Sequence, residues 1–251
     1  MDEKKASTYK LRHGLDTGTA LPSFGSKPDL AMLRQTMVDR QIRTFGVTDR
    51  AIIARFLEVP RENFVPSEQR ALAYSDLSLK IEPAKPGSRR LLAPMVLARL
   101  LQEAEVYSGD RVLDVAPGTG YSTAILAGLA RNVTALESEP ELQALVKSNL
   151  STLGLSVPVF SNALPDGVTE RAPFDLILVN GAVEGHLEGL FAQLRDGGRL
   201  ATFLRAPSDP DLAACHAIRF EKIAGQISSR VLFDAPAPLL APFREQPQFV
   251  F

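Results

Sequence analysis

The spacing of apolar residues changes character along the chain, and each change marks a different kind of element. Between Asp29 and Gly46, Leu30, Leu33, Met37 and Ile42 recur at helical spacing, and Asp29 supplies an N-cap side chain, so a helix is predicted there. A second short helix is predicted from Thr48 to Leu57, stopping at Val59-Pro60. From Arg61 to Gly87 the period fades among prolines, and the stretch reads as loop with short extended pieces. Pro94 suits a first helical position, and Val96, Leu97, Leu100, Leu101 and Ala104 form an apolar stripe up to Glu105. Short apolar runs then alternate with helical patterns. Strands are predicted at 111–116, 132–137, 157–161, 174–180 and 199–204, and helices at 121–130, 139–150 and 186–194. Ser108-Gly109-Asp110 and Gly197-Gly198 read as turns. Nearly continuous apolar strands separated by helices indicate a parallel sheet covered on both faces. Beyond Pro210 the runs 214–223 and 226–233 have no helix between them, which suits an antiparallel hairpin at the sheet edge. Residues 1–28 show no sustained period and read as a flexible arm, while the apolar end Pro-Gln-Phe-Val-Phe is expected to pack.

Composition narrows the function classes. At 251 residues with 45% hydrophobic and 23% charged positions, the chain is one large domain or a domain with appendages. Collagen, coiled coil and a disordered acidic tail are excluded. The balance of 28 Lys+Arg against 29 Asp+Glu argues against a phosphate-tracking protein, so no nucleic-acid partner is expected. One cysteine, Cys215, makes no intramolecular disulfide, and His13, His186, Cys215 and His216 have no metal-ligand spacing. Cys215 and His216 are neighbours in a predicted strand, so they point to opposite faces rather than pairing. The first residues are charged without an apolar stretch, and no apolar run approaches the ~18 residues of a membrane span, so a soluble, cytoplasmic protein is expected.

The chemistry concentrates in Val112-Leu113-Asp114-Val115-Ala116-Pro117-Gly118-Thr119-Gly120-Tyr121. A buried strand runs into a glycine-bearing turn and then a helix, which lets a ligand approach the backbone closely. Glu137, at the end of the next strand, is placed to accept both hydroxyls of a ribose. Two cofactor classes share this layout. A dinucleotide site wants Gly-x-Gly-x-x-Gly, but Thr123 stands at the third glycine and Ala116 at the first candidate position. S-adenosylmethionine instead needs the loop for its aminoacyl part, Asp114 near its ammonium and Glu137 for its ribose.

The chain resembles the protein-L-isoaspartate O-methyltransferases, a family of class I methyltransferases. The resemblance rests on VPRENFVP (59–66), AYSDLSLKI (73–81), GDRVLDVAPGTGYSTAILA (109–127), VTALE (133–137), APFDLILVNGAV (172–183) and LFAQLRDGGRLAT (190–202). It implies an α/β, Rossmann-like, doubly wound and mostly parallel sheet with an antiparallel C-terminal hairpin. A helical N-terminal cap, 29–93, would bind the acceptor, and 94–251 would form the methyltransferase domain. The implied activity is methyl transfer from S-adenosylmethionine to the free carboxylate of isoaspartyl residues in damaged proteins, leaving S-adenosylhomocysteine. The implied cofactor contacts are Asp114, Ala116, Gly118, Thr119, Gly120, Tyr121, Glu137, Asn162, Ala163 and Asn180. The carboxylate is ionised at neutral pH, so catalysis needs positioning rather than a strong base.

Three departures from the family stand out. Family members carry Gly-Gln-Thr-Ile-Ser-x-Pro before the helix at Pro94, whose hydroxyls contact the acceptor. Here Arg90 falls at the Thr and Leu92 at the Ser, so Arg89 and Arg90 are the expected carboxylate grip, with Tyr74 and Asp76 shaping the pocket. Asn162-Ala163 replaces a Gly-Asp-Gly whose Asp contacts adenine, leaving Asn162 as the amide acceptor. Ala116-Pro117 replaces Gly-Thr or Gly-Cys. Glu184 and His186 read as surface groups. Alternatives are the same fold with another acceptor, protein or small molecule, or a non-catalytic cofactor-binding homologue.

Overall fold

The computed structural model describes residues 29–81, 89–205 and 215–245; the arm 1–28 and the apolar end 247–251 lie outside them. Helix α1, Leu30–Met37, opens where Asp29 Oδ1 accepts from the Ala31 and Met32 amides at 2.9 and 3.3 Å. It widens into a π-turn over Val38–Ile42 and tightens over Arg43–Phe45 before Gly46 ends it. Helix α2, Arg50–Glu58, has the same kind of cap from Asp49. The proline-dotted stretch after it forms tight helical turns at Arg61–Asn63 and Ser67–Leu72. Strands β1, Leu79–Lys80, and β2, Arg90–Leu91, then pair as a small antiparallel hairpin.

Helix α3, Pro94–Glu103, leads to the main sheet. That sheet contains β3 Arg111–Val115, β4 Asn132–Leu136, β5 Val159–Phe160, β6 Phe174–Val183, β7 Leu194–Leu204, β8 Cys215–Ile223 and β9 Gln226–Ala235. Their order is β5-β4-β3-β6-β7-β8-β9, with the first five parallel and the last two antiparallel. This is the expected doubly wound sheet with its edge hairpin. Helices α4 Tyr121–Leu126, α5 Pro140–Thr152 and α6 Glu188–Ala192 connect the parallel strands.

Successive strand residues alternate between two buried faces. Val112, Leu176, Leu178 and Phe203 join the core shared with α1 to α5, whereas Leu113, Ile177, Val179 and Leu200 pack with Leu164, Leu190 and Phe243. Met37, Ile42, Phe56 and Phe64 of the cap lie in the first of these cores, so cap and sheet share one apolar interior.

Some boundaries differ from the sequence reading. Helix α4 stops at Leu126 because Arg55 Nη2 takes the Ala124 carbonyl at 3.1 Å. Gly128 lies against the same side chain, where a Cβ would meet Arg55 Nε at 2.1 Å. Gly197-Gly198 does not separate a helix from a strand: β7 already begins at Leu194, and the glycines sit in an irregular register between Phe174↔Leu194 and Leu176↔Arg199. Cys215 is buried while His216 faces Asp234 at 2.6 Å, on the opposite side as expected. Glu184 is buried rather than superficial, with Oε1 accepting from Arg205. Among the described residues, no helix is long and apolar enough to cross a membrane.

Buried Arg199 fastens α3 to the sheet, donating to Asp110 Oδ2 at 2.5 Å and to the Ala104 and Glu105 carbonyls at 3.0 Å each. Arg199→Met should therefore destabilise the fold by about 3 kcal/mol, because Asp110 is left buried without its countercharge, keeping only the Tyr107 amide. Adding Asp110→Asn should recover part of that loss in urea melts; no recovery would mean the pair is not the cause.

Candidate active site

The chain builds outward from β3 to β4 and β5, then returns to the other side of β3 with β6. A crevice at the carboxyl ends of β3, β4 and β6 is the place such sheets bind ligands. Of the expected cofactor residues, Asp114, Asn180, Glu137 and the 116–121 loop are joined there by hydrogen bonds, whereas Asn162 bonds to Gly167 further along the chain.

Asp114, next to last in β3, is completely buried. Its Oδ2 accepts from Ser122 Oγ at 2.8 Å and Thr123 Oγ at 2.6 Å, and Oδ1 accepts from Asn180 Nδ2 at 2.6 Å. Asn180 Nδ2 also donates to the Val115 carbonyl at 2.9 Å. These bonds tie β3 to α4 and β6. Burial pushes the Asp114 carboxyl up to about 6, and the three hydrogen bonds only partly oppose it.

The loop above it is tightly confined. Ala116 sits at φ +58°, a left-handed conformation that costs a residue with a Cβ roughly 1 kcal/mol, and Gly118 and Gly120 are at +64° and +95°. A Cβ on Gly118 would lie 2.4 Å from Ile81 Cδ1 of the hairpin. Thr119 is turned inward: its hydroxyl donates to the Phe64 carbonyl at 2.6 Å, and its own carbonyl accepts from Asn149 at 3.0 Å. The Tyr121 ring packs near Phe56 and Phe64, with the Arg61 guanidinium 4.7 Å from its centroid. Burial pushes the Tyr121 hydroxyl up to about 12.

Glu137 follows β4 and is also completely buried. Arg89 Nη1 and Nη2 donate to its Oε1 and Oε2 at 2.9 Å each. The Gly118 amide donates to Oε2 at 2.9 Å, and the Glu139 amide reaches Oε1 at 3.4 Å. A carboxylate has about four lone-pair sites, and all four are engaged. Arg89 is delivered by the hairpin, where its carbonyl accepts from the Ile81 amide at 3.0 Å.

The two arginines thus do not face one acceptor together. Arg89 turns to Glu137, while Arg90 bonds across the hairpin to the hydroxyl and carbonyl of Ser78. The buried Tyr74 hydroxyl donates to Glu62, and both burial and that partner push it upward. Asp76 is exposed, with partial desolvation raising its carboxyl. Asn162 donates its amide to the Gly167 carbonyl at 3.0 Å, which presents Oδ1 as an acceptor; Ala163 beside it is exposed. Sequence reasoning passed over Arg61, Ser122 and Thr123. Two hydroxyls in the first turn of a helix that follows an aspartate-bearing strand were the readable signal for the last two.

A slot of about 10 Å³ lies between the loop and the hairpin, lined by Arg61, Leu92, Ala116, Tyr121, Ser122 and Asn180 among others. A much larger hollow, about 830 Å³, opens at the opposite ends of β3 and β4 and holds none of the expected site residues. No cluster of three His, Cys, Asp or Glu able to hold a metal occurs among the described residues.

The sequence model of the family described as protein-L-isoaspartate(D-aspartate) O-methyltransferase matches residues 32–233. The chain belongs to this family. The protein-L-isoaspartate O-methyltransferase of Koribacter versatilis is 35% identical over 215 residues, covering 84% of this chain and 93% of that one. The one from Methylorubrum extorquens is 36% identical over 185 residues, covering 74% and 79%. A solved protein-L-isoaspartate O-methyltransferase superposes with TM-score 0.74 at 24% identity, covering 84% of this chain and 67% of that one. A Plasmodium falciparum structure described as a beta-aspartate methyltransferase, in complex with S-adenosyl-L-homocysteine, gives TM-score 0.69 at 20% identity over 86% and 100%. The class I methyltransferase fold is thus shared.

The Asp114 environment carries a pH signature for this methyltransferase-family fold. Unfolding returns the carboxyl from about 6 to its ordinary 3.8, so the folded state holds the proton more tightly. Its contribution to stability is full below about 4 and is lost as pH rises through about 6, on the order of 3 kcal/mol in all. The unfolding free energy of wild type minus that of Asp114→Asn should therefore fall between pH 4 and 6.5 in urea melts. A flat difference would place the titration elsewhere.

Proposed function

We propose that this chain transfers a methyl group from S-adenosylmethionine to the free carboxylate of L-isoaspartyl residues in damaged proteins, and that it does so in the cytoplasm. The observation that carries this reading is family membership across 32–233 combined with a wholly buried carboxylate, Glu137, at the carboxyl end of β4 beside the Gly118 amide.

The donor set fits such a cofactor. Glu137 would hold the ribose hydroxyls, Asn162 Oδ1 the adenine amino group, and the Gly118–Tyr121 loop the aminoacyl part. When bound, S-adenosylmethionine supplies a methyl group on a sulfonium, which a carboxylate oxygen attacks without prior deprotonation. The chain's share of the work is orientation and exclusion of water. Leu91, Leu92 and Leu97 wall the slot with apolar surface, which serves the second task. Residues 29–93 act as the acceptor-binding cap and 94–251 as the methyltransferase domain in this reading.

Labelled methyl transfer to an isoaspartyl peptide, with its aspartyl twin as control, tests the proposal. Transfer to the isoaspartyl form alone is expected. No transfer from protein that binds S-adenosylhomocysteine would move the function to another acceptor or to binding.

The Arg89–Glu137 pair adds a second expectation. A ribose can reach Glu137 only by displacing a bidentate guanidinium, so Arg89→Gln should bind S-adenosylhomocysteine roughly tenfold tighter by calorimetry. Weaker binding would mean the guanidinium holds the cofactor instead of blocking it.

A further inference from the structure

Arg61 is completely buried, and its guanidinium is largely unsatisfied. Nη2 donates to the Leu92 carbonyl at 2.8 Å, but Nε and Nη1 have no hydrogen-bond partner. The neighbouring carboxylate, Glu62, is engaged by the Tyr74 hydroxyl, and Arg61 makes no ion pair among the described residues. Stacking on the Tyr121 ring supplies a face contact and leaves the in-plane donors unfilled. Burial accordingly pushes the guanidinium below its ordinary range, with Tyr121 acting the other way.

An uncompensated buried cation is expensive, and an apolar side chain of similar length would serve stability better. Arg61 lines the slot at the mouth of the crevice. The Tyr121 hydroxyl, a second slot-lining donor, is likewise buried without a partner. Ser122 and Asn180 on the same walls are already committed to Asp114, and Arg90 is bonded to Ser78. The open positions of the slot are therefore a cation and a neutral hydroxyl, which together suit a planar anion.

We infer that Arg61 is the anchor for a ligand carboxylate in this slot, belonging either to the acceptor or to the aminoacyl end of the cofactor. The inference rests on the methyl-transfer reading for the identity of those ligands, though not for the anion site itself. The slot holds about one water-sized volume, so the carboxylate enters as the short Arg90–Leu91 strand and Leu92 yield.

The test compares two ratios in wild type, Arg61→Met and Arg61→Lys. One is binding of an isoaspartyl peptide against its carboxamide twin by protein loaded with S-adenosylhomocysteine. The other is binding of S-adenosylhomocysteine against 5′-methylthioadenosine, the same nucleoside without the aminoacyl carboxylate. Arg61→Met is expected to melt cooperatively, at or above the wild-type temperature, while one ratio shrinks at least tenfold; which one identifies the carboxylate. Arg61→Lys, retaining the charge, should show a smaller loss in the same ratio. Both ratios unchanged in folded Arg61→Met would overturn the inference. Should the Met variant not fold, unchanged ratios in folded Arg61→Gln, which lacks the charge, would overturn it equally. If the wild-type chain transfers no methyl group, the repair reading falls, while the two ratios still decide Arg61.

Discussion

A single buried carboxylate holds the crevice in shape. Asp114 joins β3 to the first turn of α4 through Ser122 and Thr123, and to β6 through Asn180. The loop above springs from that junction, and Gly118 and Thr119 within it are held by Glu137, Phe64 and Asn149. The donors to Asp114 are neutral hydroxyls and an amide, so the anion is hydrogen-bonded yet has no cation paired with it among the described residues. The loop is consequently built on a group that burial disfavours, a constraint accepted where three elements must meet at fixed distances.

Glu137 shows the other way to bury an anion. It meets a guanidinium and two backbone amides, and the guanidinium comes from the hairpin at β1 and β2 rather than from the sheet. One carboxylate thus organises the sheet side of the crevice and the other the hairpin side. Arg89, placed before α3, carries its charge across the crevice to Glu137.

Much of this architecture was legible in the sequence for a physical reason. A sheet buried on both faces leaves nearly unbroken apolar strands, and ligands gather at strand ends, so the loop and Glu137 could be placed from pattern alone. The extents of α4 and β7 were not, because Arg55 and the Gly197-Gly198 irregularity act through partners distant in sequence. The partner of Arg89 was also hidden: it lies 48 residues away, and a guanidinium on a loop can turn to either of two carboxylates. Arg61 was hidden because an arginine between Pro60 and Phe64 gives no sign of being enclosed. Asp114 was legible as a strand-end carboxylate, while its bonds to Ser122 and Thr123 depend on rotamers that no spacing rule reports.

The cap and the sheet interlock at points with no spare room. Ile81 of the hairpin occupies the space a side chain at 118 would need, Arg55 of α2 does the same at 128, and Phe64 receives the Thr119 hydroxyl. The two regions are therefore fitted to each other at these positions. A larger residue at either glycine calls for a smaller one on the cap, and a cap borrowed from a relative would arrive with the wrong reliefs.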